Sequence, residues 1–210
     1  MQADVFRAWI TAAARVIEEQ RDHLTQLDAA IGDADHGINL SRGFTAVLSA
    51  LESAAPATPG AVLTLTGATL ISKVGGASGP LYGTAFRGAG KALGDTTDVD
   101  LPGLAAALEA ALAGVQRLGA AREGDKTMVD ALAPATGAFS KAVAEGASDA
   151  EALTALAEAA QAGAMATIPM QALKGRASYL GPRSVGHEDP GAASTALILA
   201  VLRDAALAGP

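Results

Sequence analysis

Leu27-Asp28-Ala29-Ala30-Ile31-Gly32-Asp33-Ala34-Asp35-His36-Gly37 closes one apolar-periodic stretch and opens the next, which Ile38 and Asn39 continue. Upstream, Phe6, Ile10, Ala13, Ile17, Leu24, Leu27 and Ile31 recur at helical spacing and predict a first helix from about Asp4 to Ala30. Asp28 and Asp33 would point to different sides of an unbroken helix, because its period is 3.6 residues. Gly32 tolerates the left-handed backbone that ends helices, so the chain is expected to turn back there. Asp33 and Asp35 then stand two apart in a short extended or turn segment, where alternate side chains share a face.

Three acids drawn together repel. At about 4 Å each pair costs roughly 1 kcal/mol in water, and about 4 kcal/mol at an effective dielectric of about 20. A cation turns that cost into binding energy. Ligands that are all oxygen, with no Cys and no paired His, disfavour zinc. The stretch also lacks the Asp-x-Asp-x-Asp-Gly rhythm and closing Glu of a calcium loop. Magnesium takes one or two carboxylates and completes its shell with water and substrate phosphates, so three aspartates suit two such ions. The same residues also fit a polar turn in which Asp caps the next helix while His36 and Asn39 bond locally.

Outward from this turn the pattern is helical throughout. Further helices are predicted over about Ile38–Ser53, Pro59–Val74, Gly79–Leu93, Leu101–Leu118, Thr127–Glu145, a seventh running to about Ala166, and Gly191–Leu207. Pro80 suits the first turn of the fourth, Pro134 should kink the sixth, and Ser148-Asp-Ala-Glu151 is a capping box for the seventh. The intervening segment, about Ile168 to Pro190, is long, carries several glycines with Arg176, Tyr179 and Arg183, and reads as a lid.

Composition agrees. Half of the 210 residues are hydrophobic, yet aromatics make up 3%, and alanine is abundant, which favours closely packed helices over a β-sandwich. A net charge of −7 argues against a nucleic-acid partner. With no cysteine, disulfide and thiolate chemistry are excluded. The N-terminus lacks a secretory pattern, and no uninterrupted apolar run reaches the roughly 18 residues of a membrane span. The expectation is one all-α domain over residues 1–210, cytoplasmic and without a membrane.

Two more turns carry polar chemistry. Gly75-Gly-Ala-Ser-Gly79-Pro80 offers backbone N–H groups and the Ser78 hydroxyl at a helix start, where anions bind, although the same residues also make a tight helix connection. Gly124-Asp-Lys-Thr-Met128 reads as a capping arrangement, and no serine or lysine comes with a recognisable base.

Together, Leu27–Gly37, Val74–Pro80, Gly124–Met128, Gly175-Arg-Ala-Ser-Tyr-Leu-Gly-Pro-Arg183 and Asp189-Pro-Gly191 closely resemble the L subunit of bacterial dihydroxyacetone kinase, in the family's order and over essentially the whole length. The resemblance implies an eight-helix barrel of antiparallel amphipathic helices, with ADP or ATP and two magnesium ions at one end. By it, Asp28, Asp33 and Asp35 are the metal ligands. His36, Gly37, Ile38 and Asn39, together with Ala77 and Ser78, hold the phosphates, and Gly119 and Met128 line the adenine pocket. Arg176 steadies the developing charge or helps dock the partner and, with Asp189, Pro190 and Gly191, closes the lid side.

The family's K subunit holds dihydroxyacetone, and the L subunit supplies the phosphoryl group. In the phosphotransferase-dependent form, ADP stays bound as a coenzyme and a phosphocarrier M subunit recharges it. The chain's span from Met1 to Pro210 leaves no room for a K domain, so the stand-alone form is expected. The alternatives are an ATP-dependent subunit for another small keto-sugar and a nucleotide-sensing module for a transcriptional regulator; pairing into a homodimer is compatible with each.

Overall fold

The computed structural model describes residues 1–209. The helices are α1 (Ala3–Glu19), α2 (Arg21–Ile31), α3 (His36–Ala54), α4 (Pro59–Lys73), α5 (Ser78–Leu93), α6 (Leu101–Gly119), α7 (Val129–Ala144), α8 (Asp149–Ala166) and α9 (Pro190–Ala208), with a 3-10 helix over Arg176–Ser184. The single first helix expected from periodicity is thus two. Gln20, at φ −99° and ψ 7°, leaves helical geometry, yet its N–H still bonds Val16 and its carbonyl still accepts from Leu24. A one-residue break that keeps these bonds barely disturbs the apolar spacing, so the pattern does not reveal it.

The break redirects α2. It leaves α1 and packs on α3, α9 and the 3-10 helix, while the other eight close a ring: α1 on α3, then α4, α5, α6, α7, α8 and α9, which returns to α1. This is the expected eight-helix barrel, with one helix added outside it. Caps follow the sequence. Thr58, Asp100 and Asp189 each accept from a backbone N–H three residues on, and Ser148 with Glu151 completes the capping box.

Scarce aromatics are concentrated where they fill the barrel. Trp9 meets Phe6 edge-on and Phe86 at 5.6 Å between centroids, and Phe86 also meets Phe44. Elsewhere small residues allow backbone contact. A Cβ on Gly67 would stand 2.4 Å from the Gly83 carbonyl oxygen, and one on Gly90 would stand 2.6 Å from that of Gly60. At these glycines of the α4–α5 seam the main chains come into direct contact, with Thr64, Ile71 and Arg87 packed alongside.

Helix α9 is by length and composition apolar enough to cross a membrane, with mean hydropathy 1.5, although Arg203 and Asp204 interrupt its apolar run. Folding gives that character another use, since Ala192, Ala196, Ile198, Leu199 and Leu202 are buried in the barrel core.

Antiparallel packing of successive ring helices places alternate helix starts at one end. The starts of α3, α5, α7 and α9 share that end with the last turns of α2, α4, α6 and α8.

The seam makes a paired prediction. Gly67→Ala should destabilise the chain by about 1–3 kcal/mol through overpacking. Gly137→Ala, on α7 with nothing within 4 Å of the added methyl, should instead stabilise by about 0.5–1 kcal/mol. Urea unfolding of the two variants beside the parent reads both; equal effects would refute the backbone seam.

Candidate functional site

The carboxylates of Asp28, Asp33 and Asp35 converge: one oxygen from each lies within 4.8 Å of the others. Asp28, in the last turn of α2, is buried at 8% exposure. Its Oδ2 accepts from the N–H groups of Asp35 at 2.8 Å and His36 at 3.2 Å. It therefore caps α3 from another helix. Asp35 holds the N-cap position itself, but its side chain makes no cap bond and faces the cluster instead.

Gly32 works differently from the expectation. Its φ is −142°, outside the left-handed region. What excludes a side chain is the Asp28 carboxylate, whose Oδ1 would lie 2.0 Å from a Cβ there. The left-handed residue is Ala34, at φ 61° between the two exposed-side acids. Holding a non-glycine residue there costs of order 1–3 kcal/mol, a strain typical of functional turns. The acids also sit where α2 ends, against the negative pole of that helix, which deepens the preference for a cation.

Around them a cleft is lined by the starts of four helices: His36 of α3, Ala77, Ser78 and Tyr82 at α5, Thr127 and Met128 before α7, and Asp189, Pro190 and Gly191 at α9. Four helix N-termini facing one space favour negative charge in it. Carboxylates suited to a cation and helix starts suited to an anion thus meet in a single cleft. Arg176 closes the mouth, with Nη1 3.2 Å from Asp33 Oδ2.

Four candidate residues stand behind or beside the cleft. Gly37 is packed on the Arg21 carbonyl, where a Cβ would come within 2.0 Å. Asn39 is buried, its Oδ1 accepts from Arg42, and its amide group lies beside the Gly75 turn. Gly119 lies against Leu81, a cleft-lining side chain. Ile38 is exposed on the outer rim.

Under the cleft runs a buried polar chain that the sequence did not disclose. His36 Nε2 lies 2.8 Å from Ser194 Oγ, which lies 2.7 Å from the Tyr82 hydroxyl, and Tyr82 also reaches Thr195 at 2.9 Å. Burial pushes the His36 imidazole down to about 4, against the pull of Asp28, so it is neutral at pH 7. Burial pushes the Tyr82 phenol up, only partly offset by its bonds to Ser194 and Thr195.

The Gly124–Met128 turn is more than a cap. Asp130 accepts from Gly124 N–H at 2.5 Å and Thr127 N–H at 2.7 Å, as the expected cap should. Lys126, however, is 1% exposed and donates to the carbonyls of Thr167, Met170 and His187. Nothing in the spacing announces this; a buried lysine is recognised only when its partners are seen. Burial lowers the Lys126 ammonium, opposed by Asp189 and Asp130. Burial also raises Asp189 to about 7, with Asp130 adding to the rise and the Ala192 N–H and Lys126 resisting it.

The rim is apolar. Of the exposed large hydrophobic residues, Ile38, Ile71, Leu118, Met165, Leu173, Tyr179 and Val185 all lie at the cleft end or on the 167–189 segment over it, and Leu207 alone lies at the other.

Residues 30–204 match the family model of the DAK2 domain, and the chain belongs to that family. It is 42% identical over 198 residues to the ADP-binding subunit DhaL of the PEP-dependent dihydroxyacetone kinase of Escherichia coli, with 94% of each chain covered. It is 38% identical over 194 residues to the corresponding PTS-dependent subunit of Lactococcus lactis, covering 92% of this chain and 93% of that one. Among solved structures it resembles the dihydroxyacetone kinase of C. freundii in complex with AMP-PNP and Mg2+, with a TM-score of 0.72 and 29% identity. That match covers 97% of this chain and 34% of the other, so this chain spans about a third of that kinase.

Asp189 provides a pH test. Its folded value of about 7 exceeds the ordinary 3.8, so its favourable contribution is full below the lower value and is lost as pH rises through the upper. Without divalent metal, Asp189→Asn, which keeps an N-cap side chain, should gain stability relative to the parent as pH goes from 5 to 8. Denaturant midpoints at the two pH values decide it; a constant difference would rule out a titrating Asp189.

Proposed function

We propose that this chain is the nucleotide-binding subunit of a dihydroxyacetone kinase, one domain over residues 1–210 acting in the cytoplasm. It binds ADP and ATP with two magnesium ions and passes the phosphoryl group to dihydroxyacetone held by a separate K subunit. ADP stays bound and is recharged by an M-type phosphocarrier of the phosphotransferase system. The observation that carries the reading is the meeting of three carboxylates and four helix N-termini in one cleft. The relatives' names support it, as does the likeness to a kinase crystallised with AMP-PNP and Mg2+.

The donor set fits the metal. Three oxygen ligands within 4.8 Å, with no sulfur or paired imidazole, suit hard divalent ions that share phosphate oxygens. When bound, magnesium neutralises charge on the β- and γ-phosphates. In this reading Asp28, Asp33 and Asp35 hold the metal. His36, Gly37, Ile38, Asn39, Ala77 and Ser78 orient the phosphates through helix-start N–H groups and side chains. Gly119, by backing Leu81, and Met128 form the base pocket. Asp189, Pro190 and Gly191 form the opposite wall.

Phosphoryl transfer demands positioning and charge neutralisation more than covalent chemistry. Arg176 sits where it can exchange its bond to Asp33 for the charge developing on the transferred group, a task suited to a guanidinium fork. The apolar rim, with Tyr179 89% exposed, suits docking of the protein that brings the acceptor.

Native mass spectrometry in magnesium should find ADP and two metal ions on the chain, and EDTA should release both. Asp33→Ala should weaken Mg-ADP retention by at least about 100-fold, since even the outer partners of metal ligands are worth 10–100-fold. Retention of nucleotide by Asp33→Ala at the parental level would overturn the ligand assignment.

A further inference from the structure

We propose that Lys126 is a positioning residue for the phosphoryl-transfer cleft: its buried ammonium clasps both arms of the 167–189 strap and thereby sets where Arg176 and the start of α9 stand. The inference rests on the nucleotide reading above, but its geometry is independent of it.

All three protons of the ammonium are used. Nζ donates to the Thr167 carbonyl at 2.8 Å, to Met170 at 3.1 Å and to His187. The first two acceptors lie on the outgoing arm of the strap, and the third lies on the returning arm. Other bonds support the same closure: Gly186 N–H reaches Ile168 at 2.8 Å, Asp189 N–H reaches Thr167 Oγ1 at 2.9 Å, and Leu173 N–H reaches the Asp125 carbonyl at 3.0 Å. These are single neutral bonds. The lysine alone supplies charge-assisted bonds to both arms, which are about twice as strong.

The backbone of Lys126 is itself unusual, at φ 61° in a non-glycine residue. That conformation is strained, and here it turns the side chain inward beneath the strap instead of into solvent. The turn that holds Lys126 continues directly into Thr127 and Met128 on one cleft wall. The strap it holds carries Arg176 over the mouth and ends in Asp189-Pro190-Gly191 on the other wall. One cation therefore fixes the gap between the walls: an added Cβ on Gly191 would already lie 3.4 Å from Met128 Cβ. With its protons all spent on main chain, Lys126 has none left for a nucleotide. It acts through the strap.

The strap reports on itself, because Lys174, Arg176 and Arg183 are trypsin sites. Lys126→Met keeps the side-chain length and removes the charge. In the full chain this variant should retain the parental helical circular dichroism. Cleavage at those three sites should become at least ten-fold faster, and a fluorescent Mg-ADP analogue should dissociate at least ten-fold faster. If Lys126 acts through Arg176, the double variant Lys126→Met/Arg176→Gln should lose the analogue no more than two-fold faster than Lys126→Met alone. Cleavage and dissociation within two-fold of the parent, or fully additive losses in the double variant, would overturn the proposal. Should Lys126→Met not fold, the parent carries the test. Its caged Nζ protons should give a slowly exchanging NMR signal that moves on adding Mg-ADP; a stationary signal refutes positioning. A parent that binds no Mg-ADP refutes the nucleotide reading instead, while strap cleavage still tests the clasp.

Discussion

The Asp28 carboxylate bonded to the first N–H groups of α3 is the contact on which the rest of the site depends. It joins the end of one helix to the start of the next through a side chain, across a turn too tight for anything but glycine at position 32. Because one oxygen is committed to the backbone, the carboxylate cannot swing away from Asp33 and Asp35. The repulsion among the three is built into the fold. The bonds made by Asp28 stabilise the α2–α3 turn, whereas the charge it brings there favours a cation. Capping and a place in the carboxylate cluster, which look like rival readings in sequence, fall to the same group.

The barrel supplies the other half of the chemistry by topology alone. Antiparallel packing of successive ring helices sends every second helix start to the same end, so the positive poles of α3, α5, α7 and α9 gather without any basic residue being needed. An overall charge of −7 does not prevent the cleft from favouring an anion where helix N-termini converge. Small residues contribute by letting α4 and α5 approach to main-chain contact, which keeps the ring narrow with few aromatic side chains inside it.

Polar burial marks the places where this chain departs from a plain hydrophobic barrel. His36, Ser194, Tyr82 and Thr195 form one satisfied chain below the cleft, and among the described residues no buried side-chain polar atom is left without a partner. Satisfied networks of this kind rigidify what they join. Here they join α3, α5 and α9, three of the four helices whose starts line the cleft.

Helical periodicity, caps and the run of acids and glycines were enough to read an all-α chain, seven of its helices near their observed limits, and the carboxylates that converge. These signals are local: each depends on residues a few positions apart, whose geometry the backbone dictates. The resemblance of the motifs carried the reading further, to the barrel and its family. What only the tertiary structure decided was non-local. The break at Gln20 is invisible because a one-residue departure hardly shifts the spacing of the apolar face. Gly32 is required by a carboxylate folded over it, and its backbone has no need of a positive φ. Lys126 reads as part of a cap by sequence, whereas in the fold three carbonyls, 41 to 61 residues away, surround its ammonium. A buried charge is defined by what surrounds it, and those surroundings exist only once the chain has closed on itself.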